Sequence, residues 1–328
     1  MELGLLLNSQ APPEQDSRAT LGHLIEQVTT ARDAGFDVIV ANHHYLTDYT
    51  QFQPFPLLGR ISGHAEGMRF GTGVIILPLV HPIAVAENLA TLSYMSDRRI
   101  VAGVAAGYRD VEFDSLDVDK ADRGGRMDEG VQLLKRLWTE EDVHFDGEHY
   151  SVDGVTITPR PETPPEIWYG ANAKRAIGRA ARKADTWYIN PHSTISEIAG
   201  HKEKYDEIRE ARGLDTTVPM RREVFVAPTT EAAYEVGREY LFDKYQRYVK
   251  WGQHKAMEDE SELKQPFDRL AEDRFVLGTP AEVCAELERY ERELNVSHVI
   301  ARVHWPGMPY DRAIDCLELL GDEVIPNI

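Results

Sequence analysis

The sequence predicts a single (β/α)8 TIM barrel formed by residues 1–328, with a late insertion at about residues 250–274 near the barrel mouth. Short apolar segments typical of buried strands alternate with longer segments that have helical spacing. About eight such strands occur, and a chain of 328 residues is long enough for one large barrel. The first strand is followed by no glycine-rich dinucleotide fingerprint, which disfavours a doubly wound sheet.

Strand and helix patterns follow one another along the whole chain. Gly35 is a typical helix stop, Pro78 closes the third strand, and Asp146-Gly147 predicts the turn of a small hairpin around residues 144–152. Strands are predicted at residues 3–7, 36–41, 69–77, 99–104, 166–169, 185–189, 221–226 and 298–303. Helices are predicted at residues 21–34, 83–96, 124–138, 174–182, 195–212, 230–249 and 280–293.

The stretch at residues 250–274 breaks this alternation. It is polar and charged, contains Gln265-Pro266, and has no clean period. Long connections without a compact pattern are usually functional or disordered. A segment that crosses the barrel mouth is a candidate lid, and the alternative interpretation is a solvated surface insertion.

Composition and charge exclude several classes of function. The chain has 55 acidic and 36 basic residues, for a formal charge of −19, which argues against a nucleic-acid surface. The first residues are expected to form a strand rather than a signal peptide, and no apolar run approaches the length of a membrane span. Cys284 and Cys316 have no CxxC partner and are interpreted as packing residues. We expect a cytoplasmic protein with neither nucleic-acid nor membrane partners.

Two adjacent histidines, His43 and His44, follow directly after the second predicted strand. Catalytic groups of α/β barrels lie where strands end, and histidine exchanges protons near neutral pH. Because side chains alternate along a strand, only one of the two is expected to face the mouth. The alternative is a histidine that only hydrogen-bonds neighbouring loops. Asp48 and His81 are further candidate metal ligands, but no HExxH-like spacing is present and no metal is expected.

The turn Gly170-Ala171-Asn172-Ala173 is the best candidate anion site. Its small residues let the backbone approach a ligand, and Lys174 and Arg175 open the next helix, where cations oppose the helix dipole unless an anion is bound. A second turn of small residues, Ala105-Ala106-Gly107-Tyr108, leaves room for a ring or a phosphate. Polar residues that end other strands are candidates to line the pocket: Asn8, Gln10, Tyr188 and Asn190.

Together, these segments resemble the bacterial luciferase-like flavin-dependent monooxygenases, a family that also includes F420-dependent oxidoreductases. Each segment alone is weak evidence, but their shared order over nearly the whole chain is specific for the family and uninformative about the substrate. The matching segments are Ala31–Asp37 with His43-His44, Gly71–Pro78, His81-Pro82, Gly103–Tyr108 with Phe113, Trp168–Ala173 and Gly278–Glu282.

The resemblance implies roles for particular residues. His43 is implied as the catalytic histidine near the flavin, acting as a general base or proton donor. The flavin phosphate is expected at Ala171, Asn172, Ala173 and Arg175. A non-prolyl cis peptide beneath the flavin ring is implied at Gly73-Val74. The remaining implied contacts are Ala105, Ala106, Gly107 and Tyr108 for the cofactor, and Asn8, Asn42, His44, Tyr188 and Asn190 for the substrate pocket.

The chain departs from the family pattern at two positions. Asn42 stands where the family often has a glutamate, which removes a carboxylate able to raise the pKa of the neighbouring histidine. Ala106 stands where the luciferases carry an arginine that grips the phosphate. Arg109 and Arg175 are the candidates to replace that arginine.

The resemblance implies a monooxygenase that uses O2 and reduced FMN (FMNH2), supplied by a partner flavin reductase, to oxygenate a small organic substrate. A homodimer is expected to form through the helix at residues 83–96. One alternative is a coenzyme F420-dependent hydride-transfer oxidoreductase, although several F420 members carry a glutamate in the turn that here reads Ala105–Tyr108. A second alternative is a non-catalytic flavin-binding barrel.

Overall fold

The computed structural model describes residues 1–257 and 260–328, which form a curled sheet of parallel strands covered by helices. The strands are β1 (Glu2–Leu7), β2 (Val38–Ala41), β3 (Arg69–Ile76), β4 (Val101–Ala105), β5 (Val143–Asp146), β6 (Ser151–Val155), β7 (Glu166–Gly170), β8 (Thr186–Tyr188), β9 (Val218–Val226), β10 (Val276–Gly278) and β11 (Val296–Arg302). The helices are α1 (Ser17–Asp33), α2 (Pro54–Ile61), α3 (Pro82–Ser93), α4 (Asp110–Ser115), α5 (Arg123–Thr139), α6 (Lys174–Lys183), α7 (Ile195–Glu210), α8 (Thr230–Val236), α9 (Phe242–Lys250), α10 (Phe267–Ala271), α11 (Pro280–Leu294) and α12 (Tyr310–Leu319).

The nine-stranded sheet has the order β10-β9-β11-β1-β2-β3-β4-β7-β8, and its strand pairs are parallel. Strands β5 and β6 form a separate antiparallel hairpin, as predicted. Beyond the end of β8, Ile189 forms a parallel bridge to Met220 of β9, and the Ile189 N–H donates to the carbonyl of Pro219 at 3.0 Å. The long strand β9 therefore meets β8 near its start, while β10 pairs with its last residues.

The predicted alternation of strands and helices is confirmed, with three kinds of difference. Helix α1 begins at Ser17 because Asp16 caps it by accepting the Arg18 N–H at 2.9 Å. The single helix predicted over residues 230–249 is two helices, α8 and α9, joined by a π-helical turn. Strand β10 and helices α2, α4, α10 and α12 were not predicted, and all but α12 are too short to show a clear period.

The segment predicted as an insertion, residues 250–274, connects α9 to β10, and residues 258 and 259 lie outside the described residues. Its described part contains short 3-10 turns and helix α10. Leu263, Phe267 and Leu270 are buried, and Arg274 is buried and donates to the carbonyls of His192 and Leu270 at 2.6 Å. The described part of this segment therefore packs onto the core through these residues, while Lys264, Asp268 and Arg269 are exposed. No described helix is long and apolar enough to cross a membrane.

Apolar side chains pack on both faces of the sheet. The larger cluster lies between the strands and the surrounding helices, and Cys316 and Trp187 belong to it. A smaller cluster fills the inside of the curl: Leu6, Val38, Val40, Val101, Trp168, Tyr188 and Ile300. Because side chains alternate along a strand, Asn8 and Asn42 continue the inner face beyond Leu6 and Val40. The inner apolar cluster thus ends in polar side chains at the carboxyl ends of the strands, which is the barrel mouth.

Close approach of β3 and β4 predicts a strong effect of Gly71→Ala. A Cβ at Gly71 would lie 1.9 Å from the carbonyl oxygen of Val101, so we expect the free energy of unfolding to fall by about 3 kcal/mol. Gly22 is exposed in α1 with no heavy atom within 4 Å of such a Cβ, and Gly22→Ala should stabilise the protein by roughly 0.5–1 kcal/mol. Urea denaturation of both variants checks this, and similar effects of the two would contradict it.

Candidate active site at the barrel mouth

His43 is a buried, neutral histidine whose tautomer is set by the backbone. It follows β2 by two residues and is 4% exposed, and its Nδ1 accepts the N–H of Ile76 at the end of β3 at 3.2 Å. A ring nitrogen that accepts carries no proton, so the proton of the neutral ring is on Nε2. Burial lowers the pKa of His43 to about 4, helped by the charge of His44 and opposed by the Glu112 carboxylate and by a hydrogen bond to the Gln53 side chain. At neutral pH, His43 is therefore a hydrogen-bond donor through Nε2.

In His44 the other ring nitrogen, Nδ1, carries the proton, because this nitrogen faces a carboxylate. Its Nδ1 lies 3.0 Å from Oε1 of Glu112, which is fully buried. Burial raises the pKa of Glu112, but hydrogen bonds from His44 and the Tyr45 N–H, together with the charge of Arg109, outweigh it and lower the pKa. An ionised carboxylate only accepts, so Nδ1 of His44 carries the proton and Nε2 of the neutral ring is an acceptor. Two adjacent rings thus present one donor and one acceptor.

Arg109 holds the loop after β2 rather than a phosphate. Its guanidinium donates to Glu112 at 3.1 Å, to the Tyr45 carbonyl at 2.6 Å and to the Leu46 carbonyl at 3.1 Å. The same group lies over the ring of Trp251, 4.5 Å from its centroid. Because these contacts occupy a guanidinium that is 5% exposed, the interpretation of Arg109 as the replacement phosphate arginine is wrong.

Trp251, at the start of the segment predicted as an insertion, reaches the mouth. Its ring lies 5.9 Å from that of His44, 6.1 Å from Tyr49 and 5.1 Å from Tyr248, measured between centroids. These aromatic contacts cover the histidine side of the mouth. Part of the predicted late segment therefore lies over the predicted site.

Small residues at the ends of β3, β4 and β7 form an open apolar surface. The Gly73-Val74 peptide bond is cis, as the resemblance implies. Val74, Ala105 and Gly170 are half-buried neighbours, since a Cβ at Gly170 would lie 3.2 Å from Cβ of Ala105 and 3.5 Å from Val74. At Gly107 the backbone has a φ of 76°, which favours glycine. We call this surface, formed by Val74, Ala105 and Gly170, the floor of the site, and it suits a planar ring.

The predicted anion turn has the local structure that anion binding needs. Helix α6 has ten residues and begins after Ala173, which makes no side-chain cap hydrogen bond. A hydrogen bond holds this turn in place: Nε1–H of Trp187 donates to the Ala171 carbonyl at 2.9 Å. Asn172 is half-buried, while Ala173 and Arg175 are exposed. An uncapped helix start beside an exposed arginine favours an anion.

The side of the mouth formed by β9 and β11 carries a buried charge cluster that was not predicted. Glu223 is fully buried and accepts Nζ of Lys244 at 2.6 Å and Nε1 of Trp305 at 2.7 Å. Guanidinium nitrogens of Arg221 and Arg302 lie 3.7 and 3.8 Å from this carboxylate. Burial raises the pKa of Glu223, but the three cations outweigh it and lower the pKa to about 2. Burial lowers the pKa of Lys244, and the Glu223 carboxylate opposes this shift.

Several buried polar atoms around the mouth make no hydrogen bond to any described residue. Such atoms are rare in folded proteins, and each calls for an explanation such as a bound water, an ion or a functional role. They are Nδ2 and Oδ1 of Asn8, Oδ1 of Asn42, the hydroxyls of Tyr108 and Tyr188, Nε and Nη2 of Arg221, and Nη1 of Arg302. Asn190, another predicted pocket residue, instead accepts the His192 N–H at 2.7 Å and so stabilises its own turn.

The residues considered as metal ligands lie apart. Asp48 forms a salt bridge with an arginine of α9, and His81 caps α3 by accepting the Ile83 N–H at 3.2 Å. Within residues 1–257 and 260–328, a group with metal-like spacing is found at the opposite end of the sheet, where Glu2, Asp37 and His298 form ion pairs.

Sequence reasoning missed Glu112 and the Glu223 cluster. A signal for the second was present, because Arg221, Arg222 and Glu223 interrupt an otherwise apolar strand, and charges inside a buried strand are rare unless paired. Glu112 lies in the six-residue helix α4, where no pattern indicated burial.

Comparison with known proteins finds relatives that are described as flavin-dependent or F420-dependent. A family model described as luciferase-like monooxygenase matches residues 1–296. The F420-dependent glucose-6-phosphate dehydrogenase of Nakamurella multipartita is 26% identical, over 93% of this chain and 92% of that protein. The oxygenase component of the flavin-dependent trigonelline monooxygenase of Acinetobacter baylyi is 24% identical, over 99% and 95%. The crystal structure of monooxygenase RslO1 from Streptomyces bottropensis superposes with a TM-score of 0.86, at 21% identity and 99% coverage of both chains.

The two histidine rings should be distinguishable by NMR of protein labelled with 15N-histidine. At pH 7 we expect the proton on Nε2 in His43 and on Nδ1 in His44, with His43 and His44 glutamine variants giving the assignment. His43 should stay neutral down to about pH 5, because burial lowers its pKa. Exposed His144, whose pKa is raised by Asp153 and Asp142, is the control and should become charged first. Titration of His43 near 6.5 would contradict the assignment.

Proposed function

We propose that this chain, which belongs to the luciferase-like monooxygenase family, is an FMN-dependent monooxygenase that receives reduced FMN from a separate flavin reductase. Bound reduced flavin would supply two electrons to O2, so that one oxygen atom enters a small organic substrate and the other leaves as water. The observation that carries the proposal is the neutral, buried Nε2–H donor of His43 beside the floor at the end of β3. The relative described as an oxygenase component supports a reductase partner.

The mouth offers a consistent place for FMN. We infer that the ring lies on Gly73, Val74 and the turn Ala105-Ala106-Gly107-Tyr108, and that the phosphate lies at Ala171, Asn172, Ala173 and Arg175. The small residues of the floor and the uncapped start of α6 support this inference. Asn8, Asn42, His44, Tyr188 and Asn190 are the proposed substrate pocket.

The two histidines would have different tasks. Since His43 is uncharged near neutral pH, it would hold the reacting oxygen by donating a hydrogen bond from Nε2 rather than by supplying a formal charge. His44 would accept a proton or a hydrogen bond at Nε2, oriented by Glu112 at its other nitrogen. Trp251 would help to exclude water from both.

A second candidate is an F420-dependent hydride-transfer oxidoreductase. It is favoured by the relative from Nakamurella multipartita, which is described as F420-dependent. The turn ending in Tyr108, where several F420 members carry a glutamate, favours FMN instead. We further infer a (β/α)8 barrel joined through the Ile189–Met220 bridge, and a homodimer formed through α3.

Anaerobic titration with reduced FMN and, in parallel, reduced F420 tests the cofactor. We expect preferential binding of reduced FMN, followed by consumption of O2 when oxygen is admitted. In a His43→Ala variant, reduced FMN should still bind, while hydrogen peroxide should be released at least about tenfold faster, because the donor that holds the reacting oxygen is lost. Preferential binding of reduced F420 without an oxygen reaction would assign the chain to the hydride-transfer class. Unchanged peroxide release in His43→Ala would indicate a flavin-binding barrel without catalysis.

The phosphate site is tested by comparing reduced FMN with reduced riboflavin. Arg175→Gln should raise the Kd for reduced FMN by about tenfold and leave that for riboflavin unchanged, because a cation near a helix start stabilises a phosphate there. Arg179→Gln is the matched control on the same helix, since Arg179 pairs with Asp128 at 3.2 Å. Equal effects of the two substitutions would place the phosphate elsewhere.

A further inference from the structure

The β9–β11 side of the mouth contains more buried positive charge than its single carboxylate balances. Arg221, Lys244 and Arg302 surround Glu223, and the side chains of Lys244, Arg302 and Glu223 are fully buried. We call these four residues the cationic cluster. Buried ions are tolerated when they are paired, and three cations against one carboxylate leave an excess of positive charge.

Glu223 is already occupied by other donors. Its Oε1 accepts Lys244 at 2.6 Å and its Oε2 accepts Trp305 at 2.7 Å, whereas both arginines stay beyond hydrogen-bond distance. Arg302 also donates to Gln10 at 3.2 Å and to the His304 carbonyl at 3.1 Å, which leaves only Nη1 without a partner among the described residues. The least satisfied group of the cluster is therefore Arg221.

Arg221 differs from its neighbours in having two guanidinium nitrogens without a hydrogen-bond partner among the described residues. Its side chain is 14% exposed, while its Nε and Nη2 are buried and make no hydrogen bond within residues 1–257 and 260–328. These two nitrogens lie on one edge of the guanidinium, which is the edge that binds a carboxylate in bidentate fashion. Nη2 is also the nitrogen that lies 3.7 Å from Oε1 of Glu223, so this edge faces the Glu223 carboxylate but has no hydrogen-bond acceptor among the described residues.

The groups around Arg221 are neutral donors rather than anions. Burial raises the pKa values of Tyr108 and Tyr188, so both hydroxyls stay protonated near neutral pH, and the positive charge of Arg221 opposes this rise in both. Both hydroxyls lack a hydrogen-bond partner among the described residues, and so does the amide of Asn8 on the same face of the sheet. A guanidinium edge with two phenol hydroxyls and an amide matches the acceptors of a planar carboxylate.

We propose that Arg221, supported by the rest of the cationic cluster, binds the carboxylate of an organic-acid substrate, so that the substrate of this enzyme is a small carboxylic acid with an apolar or aromatic body. The identification of this acid as a substrate rests on the proposed function. The carboxylate-binding site is argued separately, from the contacts of Arg221. Its elements, β9, β11 and α9, are distinct from the turn before α6 that is proposed for the cofactor phosphate.

Binding of benzoate to the full-length protein, followed by calorimetry, tests the proposal. We expect benzoate to bind wild type, benzamide to bind at least about tenfold more weakly because it lacks the charge, and Arg221→Gln to weaken benzoate at least about tenfold. Arg247→Gln is the matched control, because Arg247 lies on α9 but is 37% exposed and pairs with Asp48 and Asp243. It should change the benzoate Kd by less than about threefold.

Titration with inorganic phosphate distinguishes the two candidate anion sites, which are Arg221 and the turn before α6. Phosphate binding that is lost in Arg175→Gln and kept in Arg221→Gln assigns phosphate to the cofactor turn and supports the proposal. Phosphate binding that depends on Arg221, with benzoate unaffected by Arg221→Gln, would overturn it in favour of a phosphate group at this site. Equal binding of benzoate and benzamide would also overturn it.

Two further measurements distinguish failure of the carboxylate site from misfolding of the variant and from failure of the proposed function. If Arg221→Gln does not fold by circular dichroism, NMR of the arginine Nε–H groups in wild type replaces it, and the proposal requires a shift of the Arg221 signal with benzoate and none with benzamide. Because benzoate is titrated in the absence of flavin, failure of the reduced FMN titration leaves this result intact. A protein that binds reduced FMN but not benzoate would overturn the carboxylate site alone.

Discussion

The buried carboxylate of Glu112 organises the histidine side of the barrel mouth. It is fully buried and ionised, so its charge has to be paired inside the protein, and it accepts from His44, the Tyr45 N–H and Arg109. These bonds connect the loop after β2 to the helix after β4. They also set the tautomer of His44 and hold Arg109 under Trp251. Breaking this pair would leave an uncompensated buried charge and would free the loop that carries both histidines.

Glu223 has the corresponding position on the β9–β11 side, but with a different charge balance. Glu112 is paired with one arginine and one histidine, whereas Glu223 lies among three cations. The mouth is consequently polarised: one side carries two histidine rings beside a paired carboxylate, and the other carries excess positive charge. In a site with little water, such fixed charges act more strongly than on the surface. A substrate held by its anionic group on the cationic side would therefore be oriented across the floor toward the histidines.

The sequence predicted the features that local patterns encode. Strand ends, the small-residue turns and the His43-His44 pair were identified because apolar periods, glycine and proline are readable along the chain. The charge pairs were not, because their partners are far apart in sequence: His44 and Glu112 are 68 residues apart, and Trp305 and Glu223 are 82 apart. Only the tertiary fold brings such residues together. Their charge states depend on this burial and pairing, which local sequence patterns do not encode.

Asn42 shows how a prediction from neighbouring residues in the sequence can differ from the contacts that the fold creates. Asn42 removes a carboxylate able to raise the pKa of the neighbouring histidine, but Glu112 of α4 supplies another carboxylate, which bonds His44 rather than His43. His43 is left with a backbone N–H at Nδ1 and with burial as the dominant influence on its pKa. Such a ring donates a hydrogen bond but stays uncharged, whereas Nδ1 of His44 is bonded to the Glu112 carboxylate. The two neighbouring rings therefore differ in their hydrogen bonding: Nδ1 of His43 accepts a backbone N–H, whereas Nδ1 of His44 is bonded to a buried carboxylate.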